Sequence, residues 1–358
     1  MITERELIAA IERRTITRTP AVAIDNLAAT GAVQVQPPSG LLQGIGDDCA
    51  VWRPIAGEVS LVTTDTLVEG VHFNRSWHPP RLLGRKAVTV NMSDIAAMGG
   101  RPRFVLLSLG LNGDEGEQWI NDLLDGLTEA VQEYRSVLIG GDTVRSPGGV
   151  MLAITVIGEA TPGRVCHRFG GRGGDSVWVG GPLGLAAAGL ELCRRGLADQ
   201  QPWRAAVQAH LDPEAQVELG EKLAATGLIH AMIDLSDGLA TDLAHLCEAS
   251  GSSSKSKAAR GAEIAAELLP IPEIVHRAAR FCAIDPLSWA LSGGEDYRLL
   301  FTTAPENDEA VIRLAAASSN PQLTRIGRLT TQPGIILRQN GSSRKIDYGG
   351  YDHFRSPS

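Results

Sequence analysis

The chain has 358 residues, more than one hydrophobic core usually holds, and this length favours two domains. Its formal net charge of −8 at pH 7 disfavours non-specific binding to nucleic acid or to an anionic membrane. The five cysteines are widely separated and form no CxxC pair, so we expect no disulfide framework or zinc site, and a reducing cytoplasm fits. The N-terminus lacks the apolar core of a signal peptide, and the apolar stretches are too short to span a membrane.

Predicted helices and strands alternate along the first half of the chain. The capping box Thr3-Glu4-Arg5-Glu6 is typical of a helix start. Periodicity predicts further helices over residues 81–98 and 119–134, and strands over residues 61–64, 104–109, 137–139 and 150–157. We place a domain boundary near Ala160, which gives domains of residues 1–160 and 161–358.

The second half continues the alternation, with strands predicted over residues 176–179, 231–235 and 299–302. The whole chain therefore favours an α/β or α+β architecture. Gly180-Gly181-Pro182-Leu183-Gly184 is a weak candidate for a phosphate loop, and a structural turn is the favoured interpretation. The Ser/Lys-rich residues 250–259 are expected to form a mobile surface loop.

Six segments share one form, in which small residues and an acidic residue follow an apolar run. Each segment alone is more typical of a turn, but six of them favour a shared site. Aspartates at strand ends meet at one edge of a sheet, and carboxylates that crowd together there need a cation such as Mg²⁺. The segments are Gly44-Ile45-Gly46-Asp47-Asp48, Thr63-Thr64-Asp65-Thr66, Asn91-Met92-Ser93-Asp94, Gly140-Gly141-Asp142-Thr143, Ile233-Asp234-Leu235-Ser236-Asp237-Gly238 and Ser292-Gly293-Gly294-Glu295-Asp296-Tyr297.

The usual signatures of nucleotide enzymes are missing from the sequence. It contains no G-x-x-x-x-G-K-[ST] loop and neither of the kinase motifs His-Arg-Asp and Asp-Phe-Gly. The functional prediction, magnesium-dependent phosphoryl transfer from ATP, therefore rests on the acidic segments alone.

The six segments, in this order and together with Gly350-Tyr351-Asp352-His353-Phe354, resemble the thiamine-monophosphate kinase family. The resemblance runs from about Gly44 to Phe354 and places the chain in the superfamily of aminoimidazole ribonucleotide synthetase and selenophosphate synthetase. It implies two α/β domains, of which the N-terminal one binds ATP and Mg²⁺ and forms a homodimer through its sheet. The implied reaction is phosphorylation of thiamine monophosphate by ATP, an in-line transfer assisted by several Mg²⁺ ions without a covalent intermediate.

The resemblance also implies roles for individual residues. Asp47 matches an acidic position without a certain ligand role, and no nucleophile or general base is assigned, because the acceptor phosphate is already largely ionised. Metal positions are matched by Asp48, Thr63, Thr64, Asp65, Asp94, Asp142, Asp234 and Asp237. ATP positions are matched by Gly141, Asp142, Arg168 and Ser236, and substrate positions by His72, Glu295 and Tyr351.

Two rival interpretations stay open at this point. One is another ATP-using enzyme of the same superfamily with a different acceptor. Selenophosphate synthetases carry a reactive Cys or selenocysteine near the N-terminus, whereas Cys49 is expected to be a small buried residue. The other rival is a non-catalytic, metal-binding scaffold, which has no need for so many clustered charges.

Overall fold

The computed structural model describes residues 4–15, 40–45, 48–252, 260–316 and 323–348. The chain divides into two compact units: Met1–Ile95 with Gly100–Gly163, and Ala96–Gly99 with Arg164–Ser358. Both units combine helices with a sheet, which confirms the predicted mixed α/β fold class.

The first unit is built on a four-stranded sheet. Its helices are α1 (Glu4–Arg14), α2 (Pro80–Ala97) and α3 (Glu117–Glu133). A hairpin of β1 (Leu41–Gln43) and β2 (Val51–Trp52) precedes the sheet, whose strands are β3 (Val59–Val68), β4 (Arg101–Leu111), β5 (Val137–Arg145) and β6 (Met151–Ala160). The spatial order is β3–β6–β4–β5, with only the β4–β5 pair parallel.

The second unit has a seven-stranded sheet with helices between its strands. The strands are β7 (Ser176–Val179), β8 (Ile229–Asp234), β9 (Gly261–Ala265), β10 (Leu299–Thr303), β11 (Thr324–Thr330), β12 (Gly334–Gln339) and β13 (Ser342–Ile346), in the order β13–β12–β9–β11–β7–β10–β8. The helices are α4 (Leu185–Arg194), α5 (Arg204–Leu211), α6 (Val217–Thr226), α7 (Leu239–Gly251), α8 (Glu273–Cys282), α9 (Pro286–Ser292) and α10 (Asp308–Ala316). In the part of the chain that is described, every helix is too short or too polar to cross a membrane.

Two strands of the first unit run further than expected. The strand over residues 61–64 is predicted to end at Asp65, but β3 pairs with β6 over its whole length and places Asp65 in mid-strand. β-Branched residues on both sides of Asp65 favour this continuation. Similarly, β5 does not stop before Gly141, whose φ is +156° and where an added Cβ would lie 1.8 Å from the Leu107 carbonyl oxygen. Glycine here permits close strand pairing instead of ending the strand.

Two further expectations are wrong. Cys49 is exposed, not buried. Ser250 does not begin a surface loop, because it belongs to α7, is fully buried, and its Oγ accepts a hydrogen bond of 3.1 Å from the Gly171 N–H. Residues 253–259 of the Ser/Lys-rich tract lie outside the described residues.

Helices α2 and α3 approach closely at two glycines. An added Cβ would lie 2.1 Å from the Leu123 carbonyl oxygen at Gly84, and 1.8 Å from the Arg81 carbonyl oxygen at Gly126. Both distances are far below van der Waals contact, so neither position accepts a larger residue without separating the helices. This contact fixes α2, which carries Asp94.

Gly126→Ala should destabilise the protein by about 1–3 kcal/mol, because the methyl group has no space against the backbone of α2. Urea denaturation of both proteins measures the change. Gly148→Ala is the matched control, since an added Cβ there meets nothing within 4 Å. Equal stability of the two variants would contradict the close contact.

Candidate active site

The first unit brings three predicted metal residues together. Thr63 and Asp65 alternate with Thr64 along β3 and therefore share one face of the sheet. Asp94 lies in α2, and its Oδ2 accepts a short hydrogen bond from the Thr63 hydroxyl. The Thr63–Asp94 hydrogen bond therefore connects β3, an edge strand of the sheet, to α2.

Asp65 carries the electrostatic signature of this cluster. Partial burial and then the negative charge of Asp94 raise the pKa of Asp65 to about 6. Asp65 remains exposed to solvent. Partial burial of its carboxylate, and not complete enclosure, therefore causes the rise in its pKa. The negative charge of Asp94 disfavours ionisation of Asp65, and a cation between the two carboxylates would relieve that repulsion.

Thr64 is placed differently from its two neighbours. Its hydroxyl donates to the Ile154 carbonyl oxygen at 3.1 Å and accepts from the Thr155 hydroxyl at 3.0 Å. The side chain therefore lies on the opposite face of the sheet, bonded to β6. On the face that carries Asp65, Thr64 can therefore offer a metal ion only its main-chain carbonyl oxygen.

Asp142 lies far from Asp65 in the sheet. The pairing aligns Asp65 with Ile154 and Gly141, whereas Asp142 falls in the neighbouring row with Thr66. Two strands stand between β3 and β5, so the separation across the sheet is about 14 Å at the usual strand spacing. Asp142 is exposed, and its Oδ1 accepts from the Thr143 N–H at 2.9 Å.

His72 is held in the loop that follows β3. Its Nδ1 accepts a hydrogen bond of 3.0 Å from the Val68 N–H, so the proton of the neutral ring sits on Nε2. Arg75 fixes the loop through Glu69 at 2.8 Å and Asp114 at 2.9 Å. Asp48 is exposed in the segment between β1 and β2.

The second unit groups three aspartates around the start of α7. Asp234 is the last residue of β8, as the sequence predicted for a strand end, and Asp237 follows it before the helix. Asp242, in the first turn of α7, accepts hydrogen bonds of 3.1 Å from the N–H groups of Asp237 and Gly238. Burial, followed by the charges of Asp234 and Asp237, raises the pKa of Asp242 to about 8.

The loop that carries Glu295 is bonded to this turn. The Glu295 N–H donates to the Ser236 carbonyl oxygen at 2.8 Å, and the Tyr297 N–H donates to the Leu235 carbonyl oxygen at 2.8 Å. Glu295 and Tyr297 have φ values of +68° and +47°, which L-residues seldom adopt. Such conformations persist only where surrounding contacts fix them, and they concentrate at functional sites.

Asp296 has a structural task. Its side chain is buried and accepts hydrogen bonds from the N–H groups of Gly184, at 2.6 Å, and Ala186, at 3.2 Å. These are the first amides of α4, so the glycine-rich segment before α4 is a turn closed by a carboxylate and not a phosphate loop. Burial raises the pKa of Asp296 to about 6, although both hydrogen bonds oppose the rise.

Of the remaining predicted site residues, the structure describes Arg168 but not Asp47 or Tyr351. Arg168 is exposed, between His167 and Phe169, whose rings stack with centroids 4.6 Å apart. Asp47 and Tyr351 lie outside the described residues. Among the residues described, no three acidic, histidine or cysteine side chains are close enough to hold a metal ion by themselves.

Sequence reasoning missed two residues of the second unit. Asp242 could have been found, since an acidic residue in the first turn of a helix favours the exposed amides there. His210, whose Nδ1 lies 2.9 Å from Glu295 Oε2, gives no signal in the sequence, because α5 and the Glu295 loop are far apart along the chain.

Two family models match the chain. The N-terminal domain of AIR synthase related proteins matches residues 46–160, and the C-terminal domain of the same proteins matches residues 172–340. Thiamine-monophosphate kinase of Escherichia coli strain K12 is 37% identical over 320 residues, which are 88% of this chain and 92% of the relative. The chain belongs to the thiamine-monophosphate kinase family.

Solved structures of this family share the fold. Thiamine-monophosphate kinase from Stenotrophomonas maltophilia K279a has a TM-score of 0.75 at 35% identity, covering 85% of this chain and 93% of that one. AaThiL complexed with AMPPCP and TMP has a TM-score of 0.73 at 33% identity, covering 84% and 89%. These similarities confirm the resemblance to the thiamine-monophosphate kinase family and the fold that the sequence predicted.

The raised pKa of Asp296 predicts a pH-dependent stability. The folded state holds the proton more tightly than the unfolded chain, so the contribution of Asp296 is fully present below pH ~4 and is lost as pH rises through about 6. In Asp296→Asn the unfolding free energy should fall less steeply over this range, as measured by urea denaturation at several pH values. A slope equal to that of the parent chain would contradict the burial of an ionisable carboxylate at α4.

Proposed function

We propose that the chain phosphorylates thiamine monophosphate with ATP to give thiamine diphosphate and ADP. The observation that carries the proposal is the likeness to AaThiL, a 33% identical protein complexed with AMPPCP, an analogue of ATP, and TMP. Each unit by itself offers carboxylate oxygens, the kind of ligand that Mg²⁺ takes in such a reaction.

The donors fit Mg²⁺, a hard cation that takes oxygen ligands, usually one or two carboxylates together with phosphates. Crowded aspartates with raised pKa values support this fit. The residues proposed to hold Mg²⁺ are Asp48, Thr63, Thr64, Asp65, Asp94, Asp142, Asp234 and Asp237.

The acceptor explains why the site needs no general base. A phosphate monoester has a second pKa near 6, so at neutral pH it is largely a dianion and already nucleophilic. Its difficulty is repulsion from the polyphosphate of ATP, which bound Mg²⁺ would neutralise. The side chains position the groups instead: Thr63 fixes the Asp94 carboxylate, and Asp242 holds the Asp237 turn through main-chain amides.

Other residues would hold the organic groups. We assign Gly141, Asp142, Arg168 and Ser236 to ATP, with the Arg168 guanidinium donating to phosphate oxygens. His72, Glu295 and Tyr351 are assigned to thiamine monophosphate, whose thiazolium ring is a cation. Glu295 then offers a carboxylate of opposite charge on a loop with a fixed backbone.

We also propose that the chain forms a homodimer through the sheet of its first unit. β3 and β5 are the outer strands of this sheet within the described residues. Val62 on β3 is 68% exposed and Val144 on β5 is 48% exposed. Exposed apolar residues on long outer strands are normally covered by another chain or element.

A dimer would also resolve the placement of Asp142. In one chain it lies about 14 Å from Asp65, at the far edge of the sheet. If β3 pairs with β5 of a second copy, the strand that carries the partner's Asp142 becomes the direct neighbour of the strand that carries Asp65, at one strand spacing. The site would then need both copies to be complete.

We place the protein in the cytoplasm. The cysteines Cys49, Cys166, Cys193, Cys247 and Cys282 are free thiols, and four of them are buried, which suits a reducing compartment.

Formation of ADP in the presence of ATP, Mg²⁺ and thiamine monophosphate tests the reaction. A rate that depends on all three supports the proposal. ADP formation at a rate that does not depend on thiamine monophosphate favours an enzyme of the superfamily with a different acceptor. No turnover at all favours a non-catalytic scaffold.

Asp65→Asn should lower kcat/KM for thiamine monophosphate by at least about 100-fold, more than is usual for residues behind a metal ligand. The variant loses a charged ligand but keeps the size of the side chain, so its melting temperature should stay near that of the parent. Asp199→Asn, at an exposed position in the second unit, is the control and should keep full activity. Near-normal turnover by Asp65→Asn would remove Asp65 from the proposed metal site.

Val62→Asp should convert the dimer to a monomer, because two like charges would then be buried in the interface. Light scattering after size exclusion measures the mass, and Ile312→Asp, at a 56% exposed position of α10, is the control. A dimer that persists in Val62→Asp but dissociates in Ile312→Asp would place the interface elsewhere.

A further inference from the structure

We propose that His210 is a positioning residue, which orients the Glu295 carboxylate for the organic part of the substrate. The inference rests on the proposed function and extends it to a residue outside the acidic segments. His210 Nδ1 lies 2.9 Å from Glu295 Oε2, and its side chain is 2% exposed, compared with 24% for that of Glu295. A buried imidazole thus lies against a carboxylate that remains accessible to a ligand.

The backbone of Glu295 is already fixed, but its side chain is not fixed by the backbone alone. The Glu295 N–H donates to the Ser236 carbonyl oxygen at 2.8 Å. An added Cβ at Gly294 would lie 2.5 Å from the same oxygen, so the loop approaches the turn as closely as glycine allows. A glutamate still has three rotatable side-chain bonds, and the close contact of Oε2 with the buried His210 ring restricts them.

The position of His210 is equally well determined. It lies in the last turn of α5, and α5 packs against α4. Gly189 of α4 makes this packing possible: an added Cβ would lie 2.1 Å from the Ala206 carbonyl oxygen and 2.9 Å from the His210 Cβ. The imidazole is therefore buried on a rigid helix pair, the kind of support that keeps a binding residue in one orientation.

The chemistry suits a cationic, amine-bearing ligand such as the thiamine group. The contact of Nδ1 with Oε2 lacks the alignment of a hydrogen bond, and a small rotation of the accessible Glu295 side chain toward a proton on Nδ1 would complete it. That bond would fix the plane of the carboxylate, whose negative charge attracts a cation. His210 would thereby act on binding of the acceptor and not on phosphoryl transfer itself.

Steady-state kinetics of three variants tests the proposal. His210→Leu removes the donor and should raise KM for thiamine monophosphate about tenfold, with kcat and KM for ATP changed less than about twofold. His210→Asn places an amide N–H near the Nδ1 position and should keep KM close to the parent value. His210→Gln places its amide near Nε2 and should resemble His210→Leu, so the Asn and Gln pair decides the outcome if the Leu variant does not fold.

A double-mutant cycle separates positioning from general damage. Because His210 acts through Glu295, His210→Leu should add less than about twofold to KM in a Glu295→Gln background. Additive effects, a uniform fall in kcat, or equal KM values for the Asn and Gln variants would overturn the inference. Absence of turnover in the parent chain would instead overturn the proposed function, and an unchanged KM in Glu295→Gln would remove Glu295 from the substrate site.

Discussion

Repulsion between neighbouring carboxylates is the constraint on which this structure depends. Burial and then the charge of Asp94 raise the pKa of Asp65 in the first unit, and burial followed by the charges of Asp234 and Asp237 raises that of Asp242 in the second. Groups of like charge at such distances cost stability unless a cation accompanies them. Each unit therefore holds its acidic side chains in place by other means, through the Thr63 hydroxyl in one and the amides before α7 in the other.

Close backbone approach supplies the rigidity for these arrangements. Gly84 and Gly126 let α2 and α3 meet, and Gly189 does the same for α4 and α5. The turn after β8 and the loop before β10 are joined by hydrogen bonds between main-chain groups, with Glu295 in a left-handed conformation. The strain at such a residue is supported by its neighbours, as is usual for binding sites that are organised before the ligand arrives.

The sequence predicted the fold class and most element positions, because apolar periodicity reflects burial directly. It placed Asp234 within one residue of the end of its strand, but it could not show that Asp65 and Asp142 lie in mid-strand on the outer strands of the sheet. The lengths of β3 and β5 depend on pairing with strands that are distant along the chain, and a local sequence pattern does not contain this information. The same limit explains His210, whose contact with Glu295 exists only after α5 and the loop have packed.

In the proposed mechanism the site lowers charge repulsion for an acceptor that is already ionised, and no side chain acts as a general base. The most direct measurement compares kcat/KM for thiamine monophosphate and for thiamine, with ATP and Mg²⁺ held constant. Thiamine offers only a hydroxyl group, which needs deprotonation, so we expect turnover of the monophosphate and none of thiamine. Phosphorylation of thiamine at a comparable rate would contradict the proposed mechanism, since it would require a base that the proposed site does not contain.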